Sequence, residues 1–253
     1  MERLAKLAGH FGHRQQTAAA LQAPPPPAAA WPVAAAGGAH QLLQARQRAG
    51  GERHVLVVGG TGLIGRACAE RFAAAPGWHV TTVSRRALPF PLPGDHHSHL
   101  ELDLSDRAAC SAGIRGLAAP PVSHVVYTAM GTTAADAGAH EAINVGDEAG
   151  RALNSAMFGN LLDALEECRE VCGGGLHIQL MQGRLAYGGW AVPAVRFPSR
   201  EERPDRSPSW FFEQEDELRT RLHSHPHWTA TSESYSLACT AVVITPAVRY
   251  IYI

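Results

Sequence analysis

The sequence predicts an α/β fold built on a doubly wound parallel sheet. Three observations carry this. Short β-branched runs alternate with amphipathic helical stretches over residues 51–229, a rhythm that places helices on the faces of a parallel sheet. The first strand is an unbroken apolar run, as a strand covered on both faces must be. A glycine-rich turn then joins that strand directly to the first helix.

His54 to Val58 (HVLVV) is the first strand. Gly62 to Ala74 reads as a helix, with Ile64, Cys68 and Phe72 spaced along one face, and Pro76-Gly77 ends it. His79 to Ser84 is the second strand and His99 to Leu102 a short third. Asp106 stands where it would cap the next helix. Val122 to Thr128 is the fourth strand. A long helical pattern runs from about Glu141 to Glu170, with Leu153, Met157, Leu161 and Leu165 in register, and Gly173-Gly174-Gly175 breaks it. Leu176 to Met181 is the fifth strand. Ser209 to Leu222 is a further helix, acid-rich in its first half, where the helix dipole favours negative charge.

The two ends read differently. Residues 1–50 carry alanine runs and Pro24 to Pro27 with little amphipathic period. Such sequence buries too little to offset chain entropy and reads as a disordered tail. Its one acid is Glu2, and an acid-poor basic N-terminus is also compatible with organelle import. Residues 230–253 stay unassigned, although Ala241 to Thr245 and Val248 to Ile253 have the composition of edge strands.

Composition narrows the function classes. The 253 residues are 45% hydrophobic with a formal net charge of −1. That is enough apolar residue for a core, and no basic excess points to nucleic acid. No run of about 18 apolar residues indicates a membrane span. The cysteines are five and scattered, which favours a reducing compartment, read as the cytoplasm. Cys168 and Cys172 read as small half-buried side chains rather than a metal or redox pair. Among the 22 Lys+Arg there is one lysine, Lys6, in the tail. A mechanism that needs a lysine in the folded body is therefore excluded.

The strongest local signal is Gly59-Gly60-Thr61-Gly62-Leu63-Ile64-Gly65, directly after the first strand. Gly59 permits a tight turn, Gly62 lets backbone approach a pyrophosphate, and Gly65 lets the helix pack close to the sheet. Free N–H groups and the positive dipole end then face the phosphates. This turn is the one expected of an NAD(P)-binding Rossmann domain; the bland alternative is a vestigial turn in a nonbinding descendant. The second strand ends in Ser84-Arg85-Arg86. An NAD site usually carries an acid here, whereas arginines suit a 2′-phosphate. NADP, with NADPH preferred over NADH, is therefore the expected cofactor, unless both arginines are merely solvated. Asp103, followed by Leu104, is placed to accept from an adenine amino group.

Several separate stretches resemble the extended short-chain dehydrogenase/reductases, and within them the progesterone 5β-reductase/iridoid synthase (PRISE) group. They are GGTGLIG at 59–65, SRR at 84–86, LDLSD at 102–106, SHVVYTA at 123–129, NSAMFGNLLDAL at 154–165, LHIQLMQGRLAY at 176–187 and SWFFEQEDEL at 209–218. The resemblance covers about 51–229 and adds Ala129 to the expected cofactor-binding residues. It implies reduction of an activated C=C bond of a small enone or enal by hydride from NADPH, with a tyrosine and a lysine stabilising the developing oxyanion. Here Leu185 stands at the lysine's position and Phe212 at the tyrosine's. No catalytic residue is therefore assigned, and Tyr187 is the one nearby phenol. Two readings result: an NADP-dependent reductase-like protein with impaired chemistry, or a catalytically silent NAD(P)-binding regulatory or interaction module. The family pattern stops after Trp228-Thr229, so a C-terminally truncated relative without a complete substrate domain is expected.

The histidine-dense stretches His96-His97-Ser98-His99 and His223-Ser224-His225-Pro226-His227 fall in expected loops. They lack cysteine or acid ligands at fixed spacing and read as solvated side chains rather than a metal site.

Overall fold

The computed structural model of the chain describes residues 52–118, 120–132, 148–173, 175–183 and 208–235. Six parallel strands form one sheet: β1 (Arg53–Val58), β2 (Trp78–Ser84), β3 (His97–Glu101), β4 (Val122–Tyr127), β5 (Leu176–Gly183) and β6 (Trp228–Tyr235). Their spatial order is β3-β2-β1-β4-β5-β6. The order reverses beside β1, whose neighbours are β2 and β4. A crevice opens at the carboxyl ends of strands that diverge in this way, and it is where such sheets take ligands.

The helices are α1 (Leu63–Ala73), α2 (Arg107–Arg115), α3 (Glu148–Glu167) and α4 (Trp210–Ser224). Val55 to Val58 are fully buried, which explains why this strand shows no polar alternation. Against one sheet face α1 packs Cys68 and Ala69 onto Val55, Val57, Val80 and Val126, with Ile64 and Phe72 alongside. On the opposite face the Tyr127 ring meets Phe158 of α3 edge-on at 4.7 Å. There α2 packs against α3, and α3 against α4.

The parallel doubly wound sheet expected from the sequence is present, with shifted boundaries. β3 begins at His97 rather than His99, because His97 pairs with Val80 and extends the ladder. Asp106 caps α2 as expected, its carboxylate accepting from Ala109 N–H at 3.0 Å. α3 ends at Glu167 rather than Glu170, and tighter turns come after it in which Val171 N–H donates to Cys168 O. The start expected near Glu141 lies outside the described residues. β6 runs through Tyr235 and so crosses the 229/230 division; Thr229 and Ala230 pair with His177 and Ile178 of β5. The 1–50 tail and the expected strands at 241–245 and 248–253 lie outside the described residues. Among the described residues, no helix is long and apolar enough to cross a membrane.

A chain of histidines, His54 buried and His124 and His177 half-buried, lies near the amino ends of the strands. His54 holds Pro120 O through Nδ1 at 2.7 Å and Thr81 Oγ1 through Nε2 at 2.8 Å. His124 is edge-on to Trp78 and faces His177. Burial, with help from His177 and Arg53, pushes the His124 imidazole down to about 3, and burial also lowers His54. Both groups take up protons more readily in the unfolded chain, so their contribution is full above about pH 6.5 and is lost as the pH falls. Unfolding free energy should drop by about 2 kcal/mol for His124 alone between pH 7 and 5. Denaturant melts of wild type and His124→Gln check this, the variant showing the shallower pH dependence.

Candidate functional site

The glycine turn sits at the crevice between β1 and β4. Gly59 N–H and Gly60 N–H both donate to Val83 O, at 2.8 and 3.1 Å, tying the turn to β2. Gly59 is left-handed, with φ 90°. A Cβ there would lie 2.7 Å from Thr128 Oγ1 and 2.8 Å from Ala129 N, so glycine is required on two counts. At Gly65 a Cβ would overlap the Gly59 carbonyl and come within 2.8 Å of Thr128 Oγ1. Thr128 in turn donates to Val58 O at 2.7 Å, locking β4 onto the end of β1.

Gly62 is the N-cap of α1 and contributes no side-chain cap. The first-turn N–H groups of α1 therefore have no side-chain acceptor from this position, and the dipole end faces the crevice. An added Cβ at Gly62 would meet only the Gly59 carbonyl, at 3.3 Å. The backbone here is open to close approach by an anionic group, as a dinucleotide pyrophosphate requires. Thr61 is half-buried, Leu63 is 90% exposed, and Ile64 turns inward against the core.

At the end of β2, Ser84 Oγ donates to Arg86 O at 2.6 Å, and Ser84 O accepts from Leu102 N–H. Arg85 and Arg86 are exposed, and neither makes an ion pair among the described residues. Asp103 Oδ1 accepts from both Ser105 N–H and Ser105 Oγ. Those two bonds, with a smaller contribution from Arg85, hold its carboxyl below the usual range. Leu104 is buried, and its carbonyl accepts from Asn160 at 2.9 Å.

Phe212 lies on α4 and is 7% exposed, so the position carries apolar packing without a hydroxyl. Leu185 and Tyr187 lie outside the described residues. The histidine stretches are not plain loops: His97 and His99 belong to β3, His223 to α4, and His225 stacks on Trp228 at 4.6 Å. Backbone pairing drew His97 and Ser98 into the sheet and helix extension took up His223 and Ser224, whereas His225 to His227 form the expected connection between α4 and β6. Cys168 and Cys172 are buried more fully than expected, and burial pushes the Cys172 thiol up to about 12.

Sequence reading missed a second support of the crevice. Asn154 of α3 is fully buried; its Oδ1 accepts from Gly131 N–H at 2.8 Å, and its Nδ2 donates to Gly131 O and Gly150 O. This clamps the chain leaving β4. Gln214 of α4 donates to Asn154 O at 2.9 Å and adds α4 to the assembly. The available signal was an asparagine on the apolar stripe of a helix, where an unpaired amide would be costly.

The sheet order, switch-point crevice and glycine turn define an NAD(P)-binding Rossmann domain. Residues 55–168 match the family model described as the NAD dependent epimerase/dehydratase family. A UDP-glucose 4-epimerase from Brucella ovis, solved with NAD, superposes with a TM-score of 0.51 at 21% identity, covering 71% of this chain and 51% of that one. Another UDP-glucose 4-epimerase gives 0.50 at 16% identity, covering 72% and 51%. The chain spans about half the length of these two proteins. Comparison with curated proteins found no match.

The two glycines are separable by experiment. Gly65→Ala should lower the unfolding free energy by about 1–3 kcal/mol, because the obstruction is backbone and cannot swing aside. Gly62→Ala should leave thermal stability near wild type while weakening NADPH, since its methyl enters space the cofactor would occupy. Thermal melts with and without NADPH check both.

Proposed function

We propose that this chain binds NADP(H) in preference to NAD(H), as an NADP-dependent reductase-like protein related to enone and enal reductases whose chemistry is impaired. The observation that carries the impairment is Phe212, an apolar ring buried in α4 at the position where the resemblance calls for a tyrosine. The residues that would hold the cofactor are Gly59 to Gly65 for the pyrophosphate, Arg85 and Arg86 for a 2′-phosphate, and Asp103 for the adenine. Ser84, Leu104 and Ala129 are the remaining residues we assign to cofactor contact. When bound, the nicotinamide would supply hydride to an activated C=C bond.

Binding, orientation and oxyanion stabilisation would fall to the chain's own residues. The turn and the first-turn N–H groups of α1 bind and orient the cofactor. Charge-assisted contacts from two exposed arginines favour the extra phosphate of NADP. Neither Phe212 nor Leu185 can donate a hydrogen bond to a developing oxyanion, and one such donor is worth about 2.7–4 kcal/mol. The same absence supports a second reading: a catalytically silent NAD(P)-binding module with a regulatory or interaction role. The partner in the first reading is a small enone or enal.

An NADPH-consumption assay with small enals and enones, run beside calorimetry, separates the two. Tight NADPH binding without turnover selects the silent module, and absence of cofactor binding sinks both. The double variant Leu185→Lys/Phe212→Tyr should raise turnover by about 10²-fold or more if the chemistry is only impaired. The double variant Arg85→Ala/Arg86→Ala should weaken NADPH by about tenfold or more and NADH little; equal losses would refute the 2′-phosphate role.

A further inference from the structure

β2 ends at Ser84, and the next two residues must turn to present Arg85 and Arg86 at the crevice edge. The Arg86 carbonyl is the anchor of that turn. It accepts from Ser84 Oγ at 2.6 Å and lies 3.0 Å from His99 Nε2 on β3. A carbonyl can only accept, so His99 Nε2 must carry the proton. The other ring nitrogen, Nδ1, is 2.8 Å from Thr82 Oγ1. With Nε2 protonated in the neutral ring, Nδ1 accepts and the Thr82 hydroxyl donates.

The register explains why these groups meet. Thr82 and His99 are direct partners across β2 and β3, so their side chains share one sheet face. Thr82 also lies under the glycine turn: a Cβ on Gly60 would come within 2.8 Å of Thr82 Cβ. One connected path therefore runs from Gly60 through Thr82 and His99 to Arg86. It joins the turn assigned to the pyrophosphate with the turn assigned to the 2′-phosphate. His99 touches neither group. Its hydrogen bonds fix the backbone from which the arginine side chains project.

We propose that His99 is a positioning residue for cofactor selection, holding the Arg85-Arg86 turn in the conformation that recognises a 2′-phosphate. The inference rests on the NADP reading above. Without His99 the Arg86 carbonyl keeps, among the described residues, only the Ser84 hydroxyl, and the turn is free to swing both guanidinium groups away. Pyrophosphate binding, which uses the glycine turn and α1, does not depend on this bond. The loss should therefore fall on NADPH and spare NADH. Gln at position 99 carries an amide N–H that can reach the same carbonyl, whereas Leu carries none.

The test is calorimetry of the full chain with NADPH and with NADH, for wild type, His99→Leu, His99→Gln and Thr82→Val. The expected result is that His99→Leu weakens NADPH by about tenfold and NADH by less than about twofold, the scale of one displaced charge-assisted contact. His99→Gln should recover most of the preference. Equal weakening of both cofactors, or no change in their ratio, would overturn the assignment. If His99→Leu does not fold, Thr82→Val decides: it unseats the Nδ1 partner and should lower the NADPH:NADH ratio, and an unchanged ratio overturns the proposal. A wild-type protein that shows no NADPH preference would instead sink the NADP reading itself, a result distinct from a preference that survives at position 99.

Discussion

The crevice exists because three chain segments come closer at Gly59, Gly65 and Thr128 than side chains would allow. The end of β1 reverses through a left-handed Gly59, α1 begins against the Gly59 carbonyl, and β4 closes over both through Thr128. Glycine permits this approach; apolar burial drives it. Ile64, Cys68, Ala69 and Phe72 of α1 seat on Val55, Val57 and Val80, each burying surface worth about 25 cal/mol per Å². The packing that stabilises the domain is therefore also what aims the α1 dipole at the crevice. A side chain at position 65 would disturb both at once.

The opposite face is held by polar groups as well as apolar ones. Arg151 pairs with Glu213 at 2.9 Å, joining α3 to α4, and Glu213 also accepts from Ser155. Arg221 bonds Asp163 and Glu166 of α3 together with Glu217 of its own helix. Single exposed ion pairs add little stability, but a half-buried network with several members fixes orientation. It sets the roll of α4, and with it the burial of Trp210, Phe212 and Leu218. At the ends of β1 and β2 the glycines, exposed arginines and backbone donors are in place. On α4, Phe212 is taken up by core packing.

Much of this was legible in the residue order. HVLVV announced a buried strand because only apolar β-branched residues suit both faces. GGTGLIG announced the turn because each glycine answers a separate steric demand. Asp106 was readable as a cap, since capping is local hydrogen-bond chemistry. Less legible were contacts between residues far apart in the chain. The Asn154 clamp on Gly131, the Gln214 bond to Asn154, and the His99 bridge between Thr82 and Arg86 each join separate elements or the chain leaving them. Nothing in local periodicity marks which buried amide or imidazole will find which carbonyl.

The residue order by itself determined the parallel α/β class, the place of the glycine turn and the absence of a lysine from the folded body. These depend on side-chain size, hydrophobic period and composition, which are properties of single residues and near neighbours. Only the tertiary structure decided that residues 228–235 complete the sheet as a sixth strand, that His97 and Ser98 belong to a strand rather than a loop, and that Phe212 turns into the core. Those outcomes depend on register and helix roll. Both are set by long-range pairing, where a backbone N–H or a ring nitrogen settles on the acceptor that the assembled sheet brings within reach.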